Sequence, residues 1–297
     1  MEHIPDRPMA GRTVLVTGGS SGIGRATAVG LARVGAHVAI TGRDSRRTHD
    51  AAAEITAAGA GRVDVFVADL SSQHEVRRLA AEALHQLTRI DVLINNVGGY
   101  WHTRRTTTDG LERTFAVNHV APFLLTNLLL ERLQQSSAAR VVTVASHAHK
   151  QGRIDFADLQ GEQSYSGARA YNQSKLANVL FTYELARRLR RTSVTANTLH
   201  PGVVRTSFGA EDPAAFQRAL VPIVRPFMRS PAGGAATSIH VASAPDLAQV
   251  TGRYFANSQP KASSPRSHDE RTATRLWQVS ADLVALSEAA SPTRMST

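Results

Sequence analysis

The amino-acid sequence predicts an α/β protein built on a doubly wound parallel sheet with helices on both faces. Three features carry that expectation. Short β-rich runs alternate with segments of helical period from residue 12 to residue 286. The first run ends in a glycine-rich turn that opens a helix, and no internal repeat or linker rich in Gly, Ser or Pro divides the chain. Strands separated by helices at this cadence pair in parallel through right-handed crossovers, so a ligand binds beyond the strand C-termini.

The elements follow in order. "RTVLVT" (12–17) is a short β-rich run that stops at Gly18, and "GIGRATAVGLARVGA" has apolar residues at helical spacing and closes on Gly35. "HVAIT" is the second strand, "RTHDAAAEITAAG" the second helix with Gly59 at its end, and "RVDVFVADL" the third strand. The helix "SSQHEVRRLAAEALHQL" starts with Ser71 or Ser72 as N-cap and has Glu75 in its first turn, a capping-box pattern. "DVLINN" is strand four, residues 111–133 are helical, and "RVVTVAS" is strand five. Residues 170–190 form a long amphipathic helix before strand six, "SVTANTLH". "GRYF" is a last short strand, followed by a polar loop and the helix "RTATRLWQVSADLVAL".

The 297 residues suit one large unit with terminal appendages. We expect tails at 1–10 and 289–297 and a single domain over 11–288, with a substrate-binding loop at about 202–230. No cysteine is present, which excludes disulfides, thiol nucleophiles and Cys-ligated zinc. The longest apolar stretch, "VAPFLLTNLLL", is shorter than the roughly 18 residues of a membrane-spanning helix. The first ten residues lack the apolar core of a signal peptide. A cytoplasmic protein without a membrane anchor is expected. The net charge is +10, but its arginines are scattered over different elements and read as a solvated surface, not a nucleic-acid site.

The chemistry-bearing motifs lie at strand ends. In "TGGSSGIG" (17–24), Gly18, Gly22 and Gly24 permit a tight turn and close approach to a pyrophosphate. Ser20, Ser21 and Ile23 complete this candidate loop, and the following helix offers its N-terminal amides. An NAD site usually places an acid at the end of strand two, where this chain has Thr41 and Gly42 and then Arg43. A guanidinium can pair with a 2′-phosphate through bonds worth about 1.5–3 kcal/mol, so NADP(H) is the expected cofactor. Asp44, next along, is the feature that speaks against it. Asp69 and Leu70 end strand three, near the adenine, and Asn96, Val97 and Gly98 end strand four, near the centre of the cofactor.

Of only three lysines (Lys150, Lys175 and Lys261), Lys175 falls four residues after Tyr171. On a helix these side chains share a face. An ammonium beside a phenol lowers the phenol's pKa towards the working pH, and such a tyrosine can protonate a carbonyl oxygen while hydride arrives at carbon. Ser146, at the end of strand five, would hold that oxygen, and Asn118 would kink its helix and bind a relay water. Tyr100, Trp101 and Trp277, with residues from about Ser207 to Ser230, are candidates for an apolar pocket. For the aromatic residues, core packing is an equal alternative. His147 and His149 read as structural, and no metal site is expected.

Together these residues resemble the short-chain dehydrogenase/reductase family, through "TGGSSGIG", "NNVG", Asn118, Ser146 and "YNQSK". The segments "FAVNHVAPFLLTNLLL", "ASHAHKQGRIDFADLQGE", "LHPGVVRT" and "RLWQVSADL" are similar to the retinol dehydrogenase-like branch. The resemblance covers about residues 11–288. It implies a seven-stranded Rossmann fold, NADP(H), and a catalytic tetrad of Asn118, Ser146, Tyr171 and Lys175, with Pro201, Gly202, Val204 and Thr206 flanking the nicotinamide. Val97 departs from the alanine usual in that family. A small apolar carbonyl or alcohol is the implied substrate, and the helices holding Leu124–Leu130 and Tyr171–Leu189 are where relatives pair as homodimers or homotetramers. A redox-neutral reaction on the same scaffold is the alternative activity.

Overall fold

Alternation of side chains along each buried strand divides the interior into two layers. β1 (Thr13–Val16) sends Leu15 to one side and Val14 and Val16 to the other. Leu93 of β4 (Val92–Asn95) and Val141 of β5 (Arg140–Val144) join Leu15, while Val92, Ile94, Val142 and Val144 join Val14. This is the period-2 pattern of strands covered on both faces. The computed structural model describes residues 7–205, 211–212 and 228–286.

The sheet order is β3-β2-β1-β4-β5-β6-β7-β8. β2 is His37–Gly42, β3 Val63–Val67, β6 Thr195–His200 and β7 Tyr254–Ala256, and all strands up to β7 run parallel. The expected seven strands become eight. β8 (Gln259–Lys261) pairs antiparallel with β7 through a two-residue turn at Asn257 and Ser258, whose φ values are +54° and +58°. Positive φ at both central positions is the tight-hairpin geometry usually signalled by Asn-Gly. Three exposed residues after Asn-Ser read in sequence as part of a polar loop.

One face carries α1 (Gly22–Arg33), α2 (Ser45–Ala57) and α6 (Pro231–Ser243). The other carries α3 (Gln73–Gln86), α4 (113–134), α5 (Gly167–Arg188) and α7 (Glu270–Leu283). α6 has no counterpart in the sequence-based expectation, because "PAGGAATSIHVAS" opens with residues that normally break helices. Its start is nonetheless capped: Ser230 Oγ accepts from Gly233 N at 3.1 Å, and Pro231 occupies the first turn. Its close approach to α1 uses Gly30, where a Cβ would lie 2.2 Å from Ile239 Cδ1. α3 is capped by Ser72, but Glu75 binds Arg78 and not the cap residue's amide, so only half of the capping box forms.

Three further segments acquire definite packing. Of the expected N-terminal tail, Met9 is buried and its N–H donates to Val34 O at 3.1 Å. Trp277 is a core residue: its ring lies 5.0 Å from Phe123 and stacks on Phe181, under the Arg188 guanidinium. α7 thereby covers α4 and α5, and Leu124, Leu125, Leu176 and Leu180 are buried in the same core. Among the described residues no helix is long and apolar enough to cross a membrane.

Candidate active site

The C-terminal ends of β1, β2, β4 and β5 open onto one cleft, at the point where the strand order reverses between β1 and β4. At the end of β1, Gly18 and Gly22 have φ of +68° and +54°. A Cβ on Gly24 would lie 2.2 Å from the Gly18 carbonyl oxygen, so the loop is a concave backbone cradle with no room for side chains. α1 starts here, with Ser21 as N-cap and no acidic residue in its first turn. Its first amides and dipole are thus available to a pyrophosphate. Ser20 borders the end of β2, where a Cβ on Gly42 would be 2.9 Å from Ser20 Oγ. Ile23 and Val204 both border Gly234 of α6.

The end of β4 is strapped to this loop. Thr17 Oγ1 accepts from Asn96 N and Val97 N at 2.9 and 3.1 Å, and Asn96 Nδ2 donates to Thr17 O at 2.9 Å. Val97 fits because Gly18 has no side chain: a Cβ there would meet Val97 Cγ2 at 2.9 Å. Gly98 leaves the floor open, for its Cβ would be 3.1 Å from Lys175 Nζ and 3.2 Å from Asn118 Oδ1. At the end of β2, Thr41 Oγ1 accepts from Gly18 N at 3.1 Å. Asp44 is the N-cap of α2, accepting from Arg47 N at 2.8 Å, so its side chain is directed to the helix start. Arg43 is half-exposed and paired with Glu211. Asp69 accepts from Ser71 N at 2.9 Å and shapes the turn after β3, while the Leu70 side chain packs in the core. These residues fit a dinucleotide: Gly18, Gly24 and Gly98 clear its path, the amides of α1 face its phosphates, and Arg43 stands at its ribose end.

α4 is interrupted by a π-helical segment, Ala116–Val120, in which Ala121 N donates to Ala116 O. The extra residue places Asn118 within this widened turn, a common feature of functional sites. Asn118 is fully buried; Oδ1 accepts from Gly99 N at 2.7 Å, and Nδ2 donates to Gly99 O and Ser174 Oγ, both at 2.9 Å. Ser174 Oγ donates in turn to Tyr171 O at 2.8 Å. Tyr171 and Lys175 lie on one face of α5, with Lys175 Nζ 5.6 Å from the centre of the Tyr171 ring. Lys175 donates to Val144 O at 3.2 Å, at the end of β5. Ser146 follows that strand, accepts from Ala148 N at 3.2 Å and hydrogen-bonds the Tyr171 hydroxyl. All four expected residues therefore converge at the mouth of Gly98.

Desolvation pushes the Tyr171 phenol up to about 12, opposed by the Ser146 hydroxyl, and pulls the Lys175 ammonium down to about 8. The expectation of a phenol pKa lowered by the ammonium is not met. Desolvation disfavours the charged form of each group, raising the phenol and lowering the ammonium.

The surrounding aromatics divide. Tyr100 meets the Tyr171 ring edge-on at 5.9 Å and borders the cleft. Trp101 is a packing residue: it is buried, a Cβ on Gly99 would be 2.1 Å from it, and the Arg113 guanidinium lies 4.7 Å above its ring. His149 uses both ring nitrogens, with Ser146 O at 2.7 Å and Ser264 N at 3.1 Å, which is a structural role. His200 Nδ1 accepts from Gly202 N at 3.0 Å and so sets the turn at Pro201 and Gly202, where φ is +85°. Thr206 and most of the expected substrate loop at 202–230 lie outside the described residues. Sequence reasoning missed Ser174, though it stands at i+3 from Tyr171, and Glu211, for which no local pattern exists.

A family model described as short chain dehydrogenase matches residues 12–215. The mouse protein named Retinol dehydrogenase 14 is 44% identical over 291 residues, covering 94% of this chain and 87% of its own. Human Retinol dehydrogenase 13 is 43% identical, covering 93% and 85%. Among solved structures, an uncharacterized protein from Mycobacterium Paratuberculosis superposes with a TM-score of 0.76 at 36% identity, covering 93% of this chain and 94% of its own. A short chain dehydrogenase from Burkholderia cenocepacia in complex with NADP superposes with a TM-score of 0.68 at 28% identity, covering 84% and 96%.

Proposed function

The chain belongs to the short-chain dehydrogenase family, in its retinol dehydrogenase-like branch, and from that premise we propose that it is an NADP(H)-dependent reductase of apolar ketones or aldehydes, able to oxidise the corresponding alcohols. Membership makes it an oxidoreductase that uses a nicotinamide cofactor. The observation that carries the finer reading is the convergence of Ser146, Tyr171, Lys175 and Asn118 beneath Gly98.

In this reading the carbonyl oxygen of the substrate lies between Ser146 Oγ and the Tyr171 hydroxyl. A bound nicotinamide supplies hydride to the carbonyl carbon. Ser146, whose Oγ accepts from Ala148 N, donates its hydroxyl proton in a hydrogen bond to the substrate oxygen. Tyr171 gives its proton to that oxygen as the C=O bond becomes CH–OH. Lys175, anchored on Val144 O, stabilises the phenolate so formed and reaches towards the cofactor ribose. Asn118 holds Gly99 and Ser174, and through them the end of β4 and the first turn of α5, in register.

The preference for NADP(H) is supported by Thr41 and Gly42 in place of an acid, by Asp44 serving as a cap, and by Arg43 at the ribose end. The test follows NADPH absorbance with a panel of apolar aldehydes and ketones. Substrate-dependent oxidation in the native enzyme, with a loss of about a hundredfold or more in Tyr171→Phe, is expected. An undiminished rate in the variant would sink the assignment of Tyr171, and product formed without net cofactor turnover would establish the redox-neutral alternative.

A further inference from the structure

Arg43, the residue on which the cofactor preference turns, already has an anionic partner. Glu211 pairs with it across 168 positions of sequence. The same carboxylate accepts from Trp101 Nε1 at 3.1 Å and from Arg113 Nη2 at 3.4 Å. Its neighbour is also fixed: Asp212 Oδ2 accepts from Thr103 N at 2.8 Å, and Asp212 O accepts from His102 N at 3.3 Å. Residues 211 and 212 thus span from the end of β2 to the segment after β4.

The chemistry of the pair is that of a stand-in. A carboxylate on a guanidinium makes the contacts a phosphate would make there. Two anions cannot share Arg43 without mutual repulsion. The side chains of Arg43 and Glu211 are 47% and 44% exposed, and a pair so accessible to water is weak. An arriving phosphate can therefore replace it.

We propose that Glu211 is a specificity-determining residue, occupying Arg43 until the 2′-phosphate of NADP(H) displaces it. This rests on the cofactor reading above. The net preference for NADP over NAD is then the affinity of Arg43 for the 2′-phosphate less its affinity for Glu211. Arg43 is held by Oε1 alone, so the exchange can leave Oε2 on Trp101 Nε1 and Arg113 Nη2.

Calorimetry with 2′,5′-ADP and 5′-AMP tests this on the full chain, since the two nucleotides differ only in the 2′-phosphate. Glu211→Gln is expected to tighten 2′,5′-ADP by about two- to fivefold, the range of an exposed ion pair, and to leave 5′-AMP unchanged. Arg43→Ala should remove the preference between the nucleotides, and Glu211→Gln added to it should bring no further gain. An unaltered or weakened affinity for 2′,5′-ADP in Glu211→Gln would overturn the inference while leaving the cofactor site intact. Failure of the native chain to bind either nucleotide would overturn the cofactor reading and this inference with it.

Discussion

Replacing Asn118 by alanine should test how much of the site depends on one buried amide. The side chain is fully buried and makes three hydrogen bonds, to Gly99 N, Gly99 O and Ser174 Oγ. Each such bond contributes about 1 kcal/mol net, and a buried partner left unsatisfied costs about 1–3 kcal/mol. Gly99 is only half-buried, so water can satisfy its groups in part, whereas Ser174 is fully buried. Three lost bonds with Ser174 left short of a donor give an expected loss of about 3–4 kcal/mol, and Ser174→Ala, which removes two bonds, should cost about 2 kcal/mol. At a urea slope of about 3 kcal/mol/M, Asn118→Ala should lower the midpoint by about 1 M. The bonds of Asn118 go to Gly99 and Ser174, so in the proposed mechanism its catalytic effect comes from displacing Gly99 and the first turn of α5. A displacement of this kind costs roughly ten- to a hundredfold, expected in kcat more than in KM. An unshifted urea midpoint with full turnover would refute the role given to the π-helical segment. The same loss in both variants would refute the ranking of the bonds.

Three other outcomes follow from named contacts. Gly24→Ala places a Cβ 2.2 Å from Gly18 O and should weaken NADPH binding by about tenfold or more, measured by fluorescence titration, whereas Gly61→Ala, which meets nothing within 4 Å, should be silent. Burial lowers the pKa of His119 from 6.5 to about 4, so below 6.5 the unfolded chain binds the extra proton and stability falls as pH falls towards 4. Urea midpoints between pH 7 and pH 4 should register a loss approaching about 3 kcal/mol from this group, reduced in His119→Gln. Asp91, at the opposite end of the sheet from the cleft, accepts from Arg89, Thr13 N, Ser136 and Arg12. Burial alone would raise its carboxyl, but these donors outweigh it and hold the pKa below the ordinary value. Asp91→Ala should cost about 3–5 kcal/mol in thermal or urea unfolding while turnover of the folded enzyme is preserved.

The legible parts of the fold were those that a few adjacent residues encode. "VLV" before "TGG" is a strand entering a positive-φ turn, and Tyr171 and Lys175 meet because a helix brings i and i+4 together. The hairpin at Asn257 and Ser258 and the helix Pro231–Ser243 were not legible, since Ser at positive φ and Gly233-Gly234 within a helix run against local preference. Packing overrides both: Gly234 yields to Val204, and Gly30 lets Ile239 approach α1. The π-helical turn around Asn118 has no sequence period to announce it.

The sequence by itself determined the α/β alternation, the glycine cradle, the missing acid after β2 and the Tyr171–Lys175 pair, because each is written in local spacing, whereas Asn118 and Ser146, distant in sequence, were joined to that pair through the family resemblance. Only the tertiary structure decided what those residues experience. It set Asp44 to capping, gave Arg43 a carboxylate partner from residue 211, and packed Trp277 into the core. It also kept the Tyr171 phenol protonated and lowered the Lys175 pKa. Those outcomes depend on which distant segments exclude water from a group, and exclusion of water is a property of the assembled fold, not of neighbours in sequence.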